Sequence, residues 1–159
     1  MARFIITDAG PLIAFAGIDA LFVLQELFSE ISIVEAVKRE CLAKTGTDSQ
    51  RIEAAIDTGW VKIVASGVAT EPLSPALGAG ESDSIRFALE SPAETLFLVD
   101  DRLARRFALK QGVNIIGTVR TLDLAEQRGL INTAEQCITR MTEIGYRISA
   151  ELLNQIRLG

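Results

Sequence analysis

Thr95-Leu96-Phe97-Leu98-Val99 runs directly into Asp100-Asp101, and Arg102 to Gln111 then carries a helical pattern. A short strand this apolar has no polar face to offer water. It therefore belongs inside a sheet that is covered on both sides. Outward from it the same alternation repeats. Phe4-Ile5-Ile6-Thr7, Ile31 to Val34, Trp60 to Val64 and Val113 to Ile116 read as further short strands. Between them, helices are expected over Leu12 to Gly17, Asp19 to Phe28 with Asp19 as its cap, Glu35 to Lys44, Asp48 to Asp57 ended by Gly59, and Glu81 to Glu90. Ser66 to Gly80 reads as a loop rich in Pro, Ser and Gly. From Thr118 the chain reads as helical, with breaks at Gly129 and Gly145 and a cap at Ser149. Strands alternating with helices predict a three-layer α/β/α domain, Rossmann-like, with a central, mostly parallel sheet and C-terminal helices. We expect residues 1–128 to form the core, with 129–159 a helical extension packed on the same domain.

The 159 residues suffice for one domain with a sizeable core. Hydrophobic residues at 48% and charged residues at 23% are those of a globular protein, which argues against disorder. No apolar run approaches the roughly 18 residues that cross a bilayer. Asp8 and Pro11 interrupt the apolar start, so neither a signal peptide nor membrane attachment is expected, and the setting is read as cytoplasmic. Cys41 and Cys137 fit no metal spacing and read as reduced thiols. Histidine is absent, which removes His-dependent triads and His-based zinc sites and leaves carboxylates or a metal-bound water for acid–base work. The net charge of −5, from 16 basic and 21 acidic residues, weighs mildly against a duplex binder.

Open parallel sheets bind ligands outside the carboxyl ends of their strands, where the strand order reverses, and here those ends are acidic. Asp8 closes the first strand; Asp100 and Asp101 close the fourth. Glu40 falls on or beside the apolar stripe of its helix, whereas Glu35 shares a solvent face with Lys38 and Arg39. Glu81 lies in register with Ile85, Ala88 and Leu89, and Asp83 follows two positions on. Carboxylates about 4 Å apart repel by roughly 4 kcal/mol at an effective dielectric near 20, so a converged set protonates or recruits a cation. Hard oxygen donors suit Mg²⁺ or Mn²⁺ over Zn²⁺. The competing reading is that strand-end acids cap helices and never meet. Arg102, Arg106 and Lys110, with Arg105 adjacent, form a basic strip beside Asp100 and Asp101, read either as a solvated face or as a grip on phosphates.

These stretches resemble PIN domains. Ile6-Thr7-Asp8-Ala9-Gly10-Pro11-Leu12-Ile13 looks like their opening strand. Gly80-Glu81-Ser82-Asp83-Ser84-Ile85 looks like the Gly-Glu-x-Glu-Ala segment of PIN and flap-nuclease sequences. Leu98 to Arg105 resembles the strand followed by Asp-Asp-x-x-x-Arg, and Ile116-Gly117-Thr118 the Gly-Thr after the last strand. The tail, Gly129-Leu130-Ile131 and Gly145-Tyr146-Arg147-Ile148-Ser149, is similar to a PIN-like branch common in bacteria and archaea. The resemblance implies an acidic pocket of Asp8, Glu40, Glu81 and one or both of Asp100 and Asp101, with Asp83 as a further metal ligand. VapC-type toxins in the superfamily usually carry Thr where Val99 stands, which leaves both Asp100 and Asp101 as candidates. It also implies Mg²⁺- or Mn²⁺-dependent hydrolysis of single-stranded RNA, a homodimer and, for toxins, an antitoxin partner. Arg102, Arg105, Arg106, Thr7 and Thr118 stand as substrate-side residues, the two threonines by orienting a carboxylate or a water through a hydrogen bond, unless they are ordinary strand or cap residues. A degenerate PIN-like module that binds RNA or protein without cutting is the alternative. A phospho-receiver is disfavoured, because the acid pair follows a late strand and no lysine follows the Gly-Thr turn.

Overall fold

A computed structural model describes residues 2–65 and 72–148. Five strands, β1 (Phe4–Thr7), β2 (Ile31–Val34), β3 (Val61–Val64), β4 (Thr95–Leu98) and β5 (Asn114–Ile116), form one sheet in the order β3-β2-β1-β4-β5. Every pairing is parallel. Eight α-helices among the described residues complete the three-layer α/β/α fold: α1 (Ala9–Gly17), α2 (Leu21–Phe28), α3 (Glu35–Leu42), α4 (Thr47–Thr58), α5 (Ala79–Leu89), α6 (Arg102–Lys110), α7 (Thr118–Gln127) and α8 (Ala134–Glu143).

Burial follows strand position. All four residues of β2 are buried, as are Ile6 and Thr7 of β1 and Thr95, Phe97 and Leu98 of β4. The edge strand β3 exposes Lys62 and Ile63, and a lysine there discourages pairing with another chain. Phe15, Leu12 and Leu24 from the first two helices, Ile85 from α5 and Leu122 from α7 fill the space against the sheet and are fully buried.

The structure redraws several boundaries. Gly10-Pro11 does not punctuate the chain, because α1 starts at Ala9 and takes both into its first turn. Proline is tolerated there because a first-turn N–H has no helical acceptor to lose. Asp19 does not cap α2. It occupies the left-handed region at φ 57° in the bend between α1 and α2, and its carboxylate lies 3.4 Å from Nε of Arg51. The buried Ile18 and Ala20 on either side hold that bend, and Asp accepts positive φ more readily than most residues. α5 begins two residues before Glu81, and Leu89 in its last turn is exposed instead of sharing the face of Ile85. α3 ends at Leu42, short of Lys44, and a 3₁₀ turn at Pro92–Glu94 leads into β4. Gly59, Gly129 and Gly145 all take positive φ where helices stop. The expected cap at Ser149 and the end of the C-terminal extension lie outside the described residues.

Among the described residues no single helix is long and apolar enough to cross a membrane; α1 and α2 pass a test of length and composition only as a pair bent by 118°. Their apolar side chains are largely core.

Phe97→Ala, which empties a fully buried position in the central strand β4, is expected to cost about 3–5 kcal/mol in urea unfolding. Leu103→Ala, at a side chain 49% exposed on α6, should change stability by less than about 0.5 kcal/mol.

Candidate functional site

The chain builds β1, β2 and β3 outward in one direction, then crosses back to lay β4 on the other side of β1. The order therefore reverses between β1 and β4, and a crevice opens at the carboxyl ends of those two strands. Phe4 pairs with Thr95 and Thr7 with Leu98, and the N–H of Asp8 donates to the Leu98 carbonyl at 3.0 Å. Register alone thus puts Asp8 on one lip of the crevice, with Asp100 and Asp101 on the other.

The helices bring in two more acids. α3 follows β2 without a loop, and its exposed Glu40 turns toward α5. The close packing of α3 on α5 is made possible by Gly80. A methyl group there would sit 3.0 Å from Cγ2 of Val37, 3.8 Å from Oδ1 of Asp8 and 3.9 Å from Oε1 of Glu40. Two carboxylates from different elements therefore converge on this one glycine. Glu81, one residue on, lies in the first turn of α5, where its Oε1 accepts from the N–H of Gly78 at 3.0 Å. Glutamate at this position satisfies a donor the helix leaves open.

These acids act on one another. Burial first, then the charges of Glu81, Glu40 and Asp101, push Asp8 from an ordinary 3.8 up to about 7, against a backbone hydrogen bond that lowers it. Glu81 is also raised, by burial and by both the charge and a direct hydrogen bond of Asp101. No Lys or Arg among the described residues forms an ion pair with Asp8, Glu40, Glu81, Asp100 or Asp101. Among the described residues, no cationic side chain is paired with this charge.

The adjacent aspartates differ. Asp101 caps α6, accepting from the N–H of Ala104 at 2.9 Å through Oδ2, and shares the hydrogen bond with Glu81. Asp100 is held from the opposite side. Its Oδ1 accepts from the N–H of Thr118 at 2.8 Å, and its Oδ2 accepts from the Thr118 hydroxyl at 2.5 Å and from the Tyr146 hydroxyl. The Thr118 bonds need the chain to approach closely at Gly117, where a methyl group would stand 3.0 Å from Oδ1 of Asp100 and 2.5 Å from the Arg105 guanidinium.

Asp83 stands apart from this group. It points along α5 into an ion pair with Arg86 at 3.0 Å, because two residues of helix rotate it well off the Glu81 face. Thr7 and Thr118 are fully buried, so neither hydroxyl meets a polymer at the surface. Thr118 instead orients Asp100, and Thr7 Oγ1 has no hydrogen-bond partner among the described residues. Arg105 turns inward and donates to the Val99 carbonyl at 3.3 Å, whereas Arg102 and Arg106 are exposed on α6. Tyr146 was not singled out by sequence reasoning as a site residue. Its only signal was its place in the tail motif Gly145-Tyr146-Arg147, and nothing in spacing ties it to an aspartate 46 residues earlier.

A divalent cation is the group such a donor set suits: four mutually repelling carboxylates, all hard oxygen, without a basic partner. Among the described residues, no three acidic or thiol side chains are close enough to enclose an ion in the arrangement adopted here. Ligation therefore requires Glu40, Glu81 and Asp101 to swing toward Asp8. Glu40 and Asp101 are exposed, and Asp101 would move while keeping or giving up its cap on Ala104.

The domain is doubly wound α/β with an acidic cluster at its switch point. This chain belongs to the PIN-domain family, matching the family designated DUF3368 and described as a PIN domain across residues 4–158. Proteins of this family are generally metal-dependent nucleases that use divalent ions. Among solved structures, the chain is similar to a PilT N-terminus domain protein, SSO1118, from the archaeon Sulfolobus solfataricus P2. That likeness has 20% identity and a TM-score of 0.55, and covers 77% of this chain and 93% of the other. It is a likeness of fold. No curated protein matches the chain.

The raised carboxyls fix the sign of a pH effect. Below about pH 4 Asp8 is protonated both folded and unfolded, so it costs nothing. As pH rises toward 7 the unfolded chain loses this proton while the fold retains it, and stability is lost across that window. Asp8→Asn is therefore expected to stabilise the metal-free protein by about 1–3 kcal/mol at pH 8 and to have little effect at pH 4, measured by urea unfolding.

Proposed function

We propose that the protein is a divalent-metal-dependent endoribonuclease that hydrolyses phosphodiester bonds of single-stranded RNA. The observation that carries this reading is the cluster of Asp8, Glu40, Glu81 and Asp101 at the switch point, with no Lys or Arg ion-paired to it among the described residues; burial, with the neighbouring charges added, raises the Asp8 carboxyl to about 7. Asp8, Glu81 and Asp101, with Glu40 at the rim, are the residues that would hold the ion. Asp100 already accepts three hydrogen bonds from Thr118 and Tyr146 and serves chiefly to fix the end of β4. When bound, a divalent cation lowers the pKa of a coordinated water and neutralises charge on the phosphate oxygens, which supplies a nucleophile in a protein without histidine.

The chain's own residues do the rest. Asp8 releases its proton near neutrality, so its oxygens become available as ligands in the physiological range. The Gly78 N–H holds one oxygen of Glu81 in place, and the α6 N-terminus does the same for Asp101. Arg102 and Arg106, exposed in the first two turns of α6 directly after Asp101, offer charge to the RNA backbone on the side of the crevice where a scissile phosphate would lie.

A second reading has one observation in its favour, the absence of three converged ligands in the present arrangement. It makes the domain a PIN-like module that binds RNA or protein without cutting. One experiment separates the two. With a labelled single-stranded RNA, cleavage should require millimolar Mn²⁺ or Mg²⁺ and stop with chelator, and Asp8→Asn or Glu81→Gln should lower its rate by about 100-fold or more. RNA retained but uncut, with no heat of metal binding by calorimetry, would favour the binding module instead.

Arg102→Ala and Arg106→Ala should weaken RNA binding without altering metal affinity. If each removes one phosphate contact, each should reduce the slope of log affinity against log salt by about 0.7.

A further inference from the structure

A groove that the ribonuclease reading leaves unused shares one residue, Tyr146, with the end of β4, where the tyrosine hydroxyl donates to Asp100. It has a volume of about 350 Å³ and is lined by Ile13 and Gly17 of α1, Thr47 and Asp48 at the start of α4, and Ile144 and Tyr146 after α8. We infer that this groove receives a guanine base of the RNA, one nucleotide away from the phosphate held at the carboxylates. The inference rests on the ribonuclease reading for the identity of the polymer, though not for the groove itself.

Three observations carry it. The first is continuity. Tyr146 is a wall of the groove, and its hydroxyl also donates to Asp100 at the end of β4. Its ring lies 3.6 Å from where a side chain on Gly10 would begin, two residues after Asp8. A nucleotide stacked on Tyr146 would therefore lie next to the end of β4.

The second is shape. The volume lies near the bottom of the roughly 300–1,000 Å³ range of small-molecule pockets, the scale of one nucleoside. Ile13 and Ile144 supply apolar faces and Tyr146 an aromatic one, the surfaces on which an unstacked base is held. Gly17 lets the tip of Ile144 rest on α1, since a methyl group there would stand 2.3 Å from its Cδ1.

The third is the polar group at the mouth. Oδ1 of Asp48 accepts from the N–H of Ser49 at 2.8 Å, and Oδ2 accepts no hydrogen bond among the described residues. A carboxylate accepts and does not donate. Guanine presents two neighbouring donors, N1–H and the 2-amino group, on one edge. Adenine and cytosine present one amino donor beside an acceptor that the carboxylate repels, and uracil one N–H between two carbonyls. The donor pattern selects guanine.

The test uses the full chain and mononucleotides, without metal, so that it does not depend on cleavage. GMP should shift the amide resonances of Gly17 and Gly145 and bind about tenfold more tightly than AMP, CMP or UMP. Asp48→Asn, checked for folding by circular dichroism, should bring GMP down to the affinity of the others. In cleavage of a random-sequence RNA, wild type should place guanine at one fixed position flanking the cut, and Asp48→Asn should lose that preference. Equal affinities for the four nucleotides, or GMP shifts confined to other surfaces, would overturn the guanine assignment. Cleavage without any base preference would overturn it too, while leaving the nuclease reading standing. Selective GMP binding at the groove in a protein that cuts no RNA would uphold the groove and remove the nuclease reading.

Discussion

The position of β1 at the centre of the sheet, with β2 on one side and β4 on the other, constrains nearly everything else in this molecule. Because β1 and β4 are parallel and in register, the two chain segments leaving them must diverge into helices at the same end of the sheet. Each departs through an acidic residue, and the divergence leaves a crevice between them. Backbone pairing over four residues of β1 and β4 is therefore what brings Asp8 and Asp101 together across more than 90 residues of sequence. The repulsion this creates is sustained by the buried apolar strands behind it. Ile6, Phe97 and Leu98 are fully buried there, each contributing about 1.5–3 kcal/mol against that repulsion.

The site is assembled from different kinds of support. Asp8 is fixed by strand register, Glu81 and Asp101 by helix N-termini, and Glu40 by the closeness of α3 to α5 that Gly80 allows. Helix N-termini favour negative charge, so the fold offsets part of the repulsion without placing a cationic side chain in the pocket. That choice keeps the carboxylates available. A lysine or arginine among them would satisfy their charge and close the site to a cation, whereas the backbone N–H groups of Gly78 and Ala104 hold Glu81 and Asp101 without adding a full positive charge. Asp83, which does have its arginine, illustrates the contrast two residues from Glu81.

Tyr146 ties the C-terminal segment to the chemistry. α8 packs against α7 and α1, and the turn at Gly145 then returns the chain across the start of α1 to Asp100. The buried phenol, pushed above its ordinary range by burial and by the charge of Asp100, stays a hydrogen-bond donor throughout the physiological range. The tail is thus part of the site's architecture, with one side on the end of β4 and the other on the groove.

Much of this was legible in the residues. Strand runs such as Thr95 to Val99 and Ile31 to Val34 are too short and too apolar to be anything but interior strands, and their alternation with helical patterns gave the parallel three-layer fold. Asp8, Glu81, Asp100 and Asp101 stood out because strand ends and helix starts are local features that a linear pattern records. What a linear pattern does not record is distance between segments. It left open whether the acids meet, offered Asp83 as a further ligand beside Glu81, and could not say that Thr118 reaches Asp100 while Thr7 does not. It also treated Asp100 and Asp101 as equivalent. Their difference arises from partners at residues 81, 118 and 146, reached through register and packing. The chemistry available to each side chain is written in its type and in its local periodicity; which of its neighbours it faces is fixed when the sheet pairs and the helices dock, since hydrogen bonding and charge fall off over a few ångströms while the residues concerned lie tens of positions apart.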